Sequence, residues 1–144
     1  MRVRATVLVV RHDAVLLVRQ RGGPWYLPGG EVRHNELVMA AAIRELHEGT
    51  GAEASAAAFM WQHVSAQHLH HVFRVAIPAD ARLFTNPGQG VDEVRWVNIP
   101  LLHTMPVTPG TKAILARAAG INGSVGRAPP WANKGFGAGR PADF

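Results

Sequence analysis

Apolar and polar positions fall in blocks along this chain, and the period changes from block to block. Residues 3–10 are largely β-branched and apolar, which predicts a buried strand. His12 and Asp13 mark a tight turn. Residues 14–19 form a second apolar run, so the two runs are expected to pair as a hairpin. A Gly/Pro turn at 21–24 precedes a short extended piece at 25–28, which runs into Gly29 and Gly30. Asn35 is placed to cap a helix over residues 36–48, an alanine-rich stretch without Gly or Pro until Gly49. Val38, Ala42 and Leu46 recur at i, i+4 and i+8 on one face. Gly51 is a natural stop.

Strand-like runs follow at 59–64 and 69–77. A loop spans 78–90, a further strand is expected at 91–97, and a second helix at 111–119 is opened by Thr108, Pro109 and Gly110. The order is strands, helix, strands, helix. It predicts an α+β chain or an α/β/α sandwich with a mixed sheet. Residues 121–144 carry five Gly and three Pro and show neither period. They separate a domain over residues 1–120 from a Gly/Pro-rich tail of disorder-like composition. Trp131 and Phe136 are the tail's candidate anchors, on its own domain or on a neighbouring subunit in a homodimer.

Composition narrows the chemistry. The 144 residues amount to one ordinary domain. Cysteine is absent, which excludes disulfides, thiolate metal sites and a cysteine nucleophile. The first apolar run is too short to span a bilayer, so the expectation is a cytoplasmic protein without a membrane role. The net charge is +5, and thirteen of the fifteen basic residues are arginine. Arginine is the better fork for phosphate oxygens, and a modest positive balance favours a phosphorylated ligand. A solvated basic surface would look the same in composition. No dense basic stripe interleaved with aromatics points to nucleic acid.

The residues that carry chemistry lie between Gly30 and Ala52. Five residues separate Gly30 from Glu36, and seven separate Glu36 from Arg44. The chain then reads Arg44, Glu45, Leu46, His47, Glu48, Gly49, Thr50, Gly51, Ala52. Glu45 and Glu48 stand three apart on the predicted helix and share a face. Adjacent carboxylates repel unless a cation lies between them, and hard oxygen donors suit magnesium or manganese. On their own they would be an ordinary solvated helix face. Gly29 and Gly30 permit a tight turn close to the helix, and Glu36 near the helix start suits the helix dipole.

This run resembles the Nudix box, G-x5-E-x7-R-E-U-x-E-E-x-G-U with U a bulky aliphatic. The lead-in Trp25, Tyr26, Leu27, Pro28, Gly29 and the later Val94, Arg95, Trp96, Val97 are similar to the family's flanking segments. The resemblance covers roughly residues 3 to 119. It implies an α+β fold, a Nudix-type α/β/α sandwich with a mixed central sheet and two main helices. It also implies a metal-dependent hydrolase, using Mg2+ or Mn2+, that cleaves a pyrophosphate linkage in a nucleoside diphosphate joined to another group. The implied catalytic residues are Glu45, Glu48, Arg44 and Glu36, with Glu45 and Glu48 as metal ligands and Arg44 orienting a carboxylate. Gly29, Gly30 and Trp25 are the expected substrate-binding residues.

One position departs from the pattern. Gly49 stands where the family carries a second adjacent glutamate, usually a principal metal ligand. Three readings follow. A loop carboxylate, Asp92 or Glu93, takes its place; the enzyme is slow or specialised; or the fold is kept for nucleotide binding as a sensor or partner. His47 is a poor substitute because i+2 on a helix faces away from Glu45. Ala66, Gln67, His68 and Leu69 occupy the region where subfamily markers for ADP-ribose or diadenosine polyphosphates would fall. Nucleoside triphosphates and nucleotide sugars remain as expected substrates. His63, His68, His70 and His71 cluster on two predicted strands, with His68 and His70 on one side. They read either as a metal or phosphate site or as exposed positions and pocket walls.

Overall fold

The computed structural model describes residues 1–120. Trp131, Phe136 and the expected role of the tail lie outside the described residues. Seven strands and two helices follow in the order β1 (Arg2–Leu8), β2 (Val10–Arg11), β3 (Ala14–Arg19), β4 (Gly29–Glu31), α1 (Val38–Thr50), β5 (Ala56–Val64), β6 (His68–Ala76), β7 (Glu93–Asn98) and α2 (Pro109–Gly120). Short 3-10 turns occupy Pro87–Gln89 and Ile99–Thr104. A four-stranded sheet runs β4-β1-β6-β5, and a three-stranded sheet runs β2-β3-β7. The first is mixed, because β1 and β6 are parallel while β1–β4 and β5–β6 are antiparallel. The second is antiparallel.

The expected hairpin between residues 3–10 and 14–19 forms only in part. β1 is flanked by β4 and β6, so neither of its edges is free for β3. The chain leaves the first sheet at Val9, whose carbonyl accepts the Leu16 amide at 3.0 Å. Only Val10 and Arg11 then pair with β3. The uninterrupted apolar run reflects this handover: Ala5 to Val10 are all buried, because both faces of β1 are covered.

One face of β1 and β6 packs on α1 through Ala5, Val7, Phe73 and Val75 against Ala41, Ala42 and Leu46. On the other side, Leu8, Val72, Trp61 and Trp25 pack with Ile114 and Ala118 of α2. The layers are helix, sheets, helix. No helix among the described residues is long and apolar enough to cross a membrane.

Helix α1 begins later than expected. Asn35 has φ 61°, in the left-handed region, and does not cap. Leu37 is the N-cap residue, without a side-chain hydrogen bond. Glu36 therefore lies in the preceding turn, where its amide donates to the Arg33 carbonyl at 3.1 Å. The end falls where expected: Gly51 has φ 77° and donates to the His47 carbonyl, a left-handed cap.

Candidate active site

Arg44 organises the face of α1 that turns toward β4. Its Nε donates to Glu36 Oε2 at 2.7 Å and its Nη2 to Glu36 Oε1 at 3.0 Å. Its Nη1 donates to Glu45 Oε1 at 2.8 Å and Glu48 Oε2 at 3.1 Å. One guanidinium thus draws three carboxylates together, two from the helix and one from the turn before it. Glu36 also accepts the Arg33 amide at 2.9 Å. These bonds hold the Glu36 carboxyl down at about 2, and the same Glu36 partnership pushes Arg44 up from its ordinary value. Both shifts favour the charged forms.

The glycine pair explains how Glu45 reaches the sheet. A side chain on Gly30 would overlap the Glu45 carboxylate, and one on Gly29 would run into the backbone of Ala5. Gly29 has φ 149°, so β1, β4 and α1 close together only because these positions have no Cβ. A narrow groove beside Glu45 is lined by Tyr26, Gly29, Gly49, Gln89 and Val91 among others. Gly49 lies within α1, and a Cβ there would meet only Val91 Cγ2, at an ordinary 3.4 Å. Space therefore does not demand glycine at this position.

Neither expected substitute faces this groove. Asp92 accepts the Arg21 amide at 2.7 Å, and Glu93 pairs with Arg19 at 2.9 Å. The loop residues that line it are Gln89 and Val91. Asn86 holds this loop to the helix by donating to the Glu48 carbonyl at 2.6 Å. His47 points outward, 3.9 Å from Glu53. Among the described residues no group of three His, Cys, Asp or Glu side chains is arranged to hold a metal ion. The oxygen donors on this face of α1 are the carboxylates of Glu45 and Glu48, both turned to Arg44, and two carboxylates fit an ion whose shell water and substrate phosphate complete.

A larger cavity of about 390 Å³ opens on the opposite face of the first sheet, between β1, β6 and the start of α2. Arg4, Thr6, His68 and His70 line it, over an apolar floor that includes Leu27 and Ile114. Tyr26 belongs to both this cavity and the Glu45 groove. Trp25, the expected substrate-binding aromatic, is buried instead: Arg19 and Arg95 stack over its ring at 4.5 and 5.0 Å. In an extended segment neighbouring side chains point to opposite sides, so the residue beside it carries the pocket position.

The histidines divide in the same way. His70 Nδ1 lies 2.9 Å from Thr6 Oγ and its Nε2 3.1 Å from Ser65 Oγ. Burial, then Arg4, His63 and His68, push its pKa down to about 4. At neutral pH it is an uncharged wall held at both ring nitrogens. His71 lies on the other face with Phe59 and Gln62. Sequence reading missed Arg4, Thr6 and Tyr26. The alternation of Arg4 and Thr6 with Ala5 and Val7 was the available signal, hidden inside an apolar run.

Comparisons with known proteins agree with this architecture. Residues 1–118 match the family model described as NUDIX domain. No curated protein matches the chain. A nudix hydrolase family member from Chromobacterium violaceum superimposes with a TM-score of 0.74 at 23% identity, covering 99% of this chain and 87% of the other. A MutT NUDIX hydrolase from Burkholderia pseudomallei gives 0.68 at 25% identity, covering 79% and 95%. The NUDIX domain of Shewanella oneidensis NrtR, crystallised with ADP ribose, gives 0.71 at 17% identity, covering 84% and 88%. With the family pattern running through both sheets, the glutamate-bearing helix and most of α2, the chain belongs to the NUDIX domain family, whose hydrolases act on nucleoside diphosphates linked to another moiety.

Proposed function

We propose that this protein is a divalent-metal-dependent hydrolase that cleaves the pyrophosphate linkage of a nucleoside triphosphate or nucleotide sugar. The observation that carries the reading is the convergence of Glu36, Glu45 and Glu48 on Arg44, with the Glu45 carboxylate seated against Gly30. Glu45 and Glu48 would hold Mg2+ or Mn2+, which when bound neutralises phosphate charge and acidifies water. Arg44 sets the direction of both carboxylates, and Glu36 fixes Arg44 by accepting two of its N–H groups. Tyr26 joins the groove to the larger cavity, which receives the organic part of the substrate. The reaction is attack of water on one phosphorus, with the bridging oxygen leaving on the other phosphate.

Gly49 favours a second reading. With two helix carboxylates where the family pattern has three, the fold would bind a nucleotide as a sensor or partner and turn it over little. One experiment separates the two. Nucleotide and phosphate release is measured from a panel of nucleoside triphosphates and nucleotide sugars, with magnesium and then manganese. Wild type is run beside Glu48→Gln and Gly49→Glu. The hydrolase reading expects wild-type activity that falls roughly 100-fold or more in Glu48→Gln. Silence in wild type with activity in Gly49→Glu would overturn it in favour of the binding reading.

A further inference from the structure

Arg4 is a half-buried cation that no carboxylate pairs with directly. Its Nη2 donates to the Leu27 carbonyl at 2.8 Å, and a guanidinium carries several further N–H donors. No ion pair among the described residues includes it. The carboxylate closest in register is Glu31, opposite Arg4 on β4, but that side chain turns to Arg2 at 3.2 Å. Burial pushes the Arg4 pKa down, and Tyr26 and Glu45 act in the opposite sense. The group stays charged, because arginine is not deprotonated in proteins. A charge partly withdrawn from water is costly to leave without a partner.

The surroundings say what that partner would be. Arg4 lines the 390 Å³ cavity, in which its neighbours His68 and His70 both have lowered pKa values. Arg4 is therefore the cavity's permanent charge at neutral pH. It lies against Tyr26, 5.8 Å from the ring centre, and Tyr26 also borders the groove of Glu45. The Leu27 carbonyl that holds it is two residues from Gly29, where β4 begins. From this placement we infer that Arg4 is the phosphate-positioning residue of the site, taking a phosphate oxygen where the organic cavity meets the glutamate groove. This inference deepens the proposed function and rests on it for the identity of the ligand. It gives the chain a protein cation on the phosphate, in a site one carboxylate poorer than the family pattern. A planar fork suits that task better than a point charge.

The test is titration calorimetry of the full chain with inorganic pyrophosphate, in the absence of divalent metal. Wild type is compared with Arg4→Gln, Arg4→Lys and the surface control Arg2→Gln. The expected result is binding that weakens about tenfold or more in Arg4→Gln, partly recovers in Arg4→Lys, and stays within about twofold in Arg2→Gln. If Arg4→Gln does not fold, the side-chain Nε–H resonance of Arg4 in wild type, assigned through Arg4→Lys, supplies the same answer by moving on pyrophosphate addition. Equal affinity in wild type and Arg4→Gln would overturn the inference, as would an unmoved resonance or no wild-type binding. An equal loss in Arg2→Gln would assign the effect to general surface charge and overturn it too. Hydrolysis that fails while Arg4-dependent binding persists would remove the proposed reaction and leave this inference standing.

Discussion

Arg44 grips Glu36 from two sides, with Nε at 2.7 Å from one carboxylate oxygen and Nη2 at 3.0 Å from the other. The remaining nitrogen is thereby aimed at Glu45 and Glu48. Lysine in this place keeps the charge and loses the fork. Arg44→Lys is expected to fold and to lose about 10- to 100-fold in manganese affinity and in kcat/KM. Manganese titration followed by electron paramagnetic resonance checks the first, and steady-state hydrolysis the second. Unchanged metal affinity would mean that Glu45 and Glu48 orient themselves.

The same contact makes acid stability depend on Glu36. Its carboxyl titrates at about 2 in the folded protein, below the ordinary 4.5, because Arg44 and the Arg33 amide favour the anion. A depressed carboxyl stabilises the fold above its unfolded pKa, and that contribution is lost as pH falls through the folded value. Urea unfolding of wild type is therefore expected to weaken between about pH 4.5 and 2. The slope should be shallower in Glu36→Gln. Superimposable slopes would show that the contact does not survive in solution.

Much of this arrangement was legible in the chain, for identifiable reasons. The spacing of Gly30, Glu36, Arg44, Glu45 and Glu48 places groups at fixed distances along one helix and its approach, and such local geometry follows from helical periodicity. What was not legible depends on which strand lies beside which. Residues 3–10 read as one strand, yet β1 passes between β4 and β6 and hands over to a second sheet at Val9. Apolarity reports burial but not the partner. The cavity unites Arg4, His70 and Thr111 from three distant segments, and no local pattern encodes that meeting. Asn35 takes a left-handed turn rather than a cap, and both favour the same residue type.

The two glycines of β4 are expected to fail differently when substituted. Gly30→Ala places a methyl group where the Glu45 carboxylate lies. That carboxylate ends a flexible side chain and can swing away. Activity should drop sharply while the melting temperature moves little. Gly29→Ala meets the backbone of Ala5 at a positive φ, and neither can yield cheaply. A stability loss of about 1–3 kcal/mol is expected there. Paired thermal unfolding and hydrolysis assays would separate them, and an active Gly30→Ala would show that Glu45 need not occupy its observed place.

His70 should add a second pH window above that of Glu36. Buried between Thr6 and Ser65 and near Arg4, it titrates at about 4 in the folded state against the ordinary 6.5. The unfolded chain then binds a proton that the folded protein refuses, so stability rises with pH between these values. The contribution is complete above about pH 6.5 and lost progressively toward pH 4. Each pKa unit corresponds to about 1.4 kcal/mol, so the full window amounts to at most about 3.5 kcal/mol. His68, also lowered mainly by burial, acts in the same direction, which makes His70→Gln the informative variant. Glutamine keeps a donor and an acceptor for the two hydroxyls but has no proton to gain. Urea midpoints from pH 7 to 4 should fall steeply in wild type and less steeply in His70→Gln. Parallel curves would mean that His70 takes up its proton without leaving the fold, and that water reaches the ring between Thr6 and Ser65.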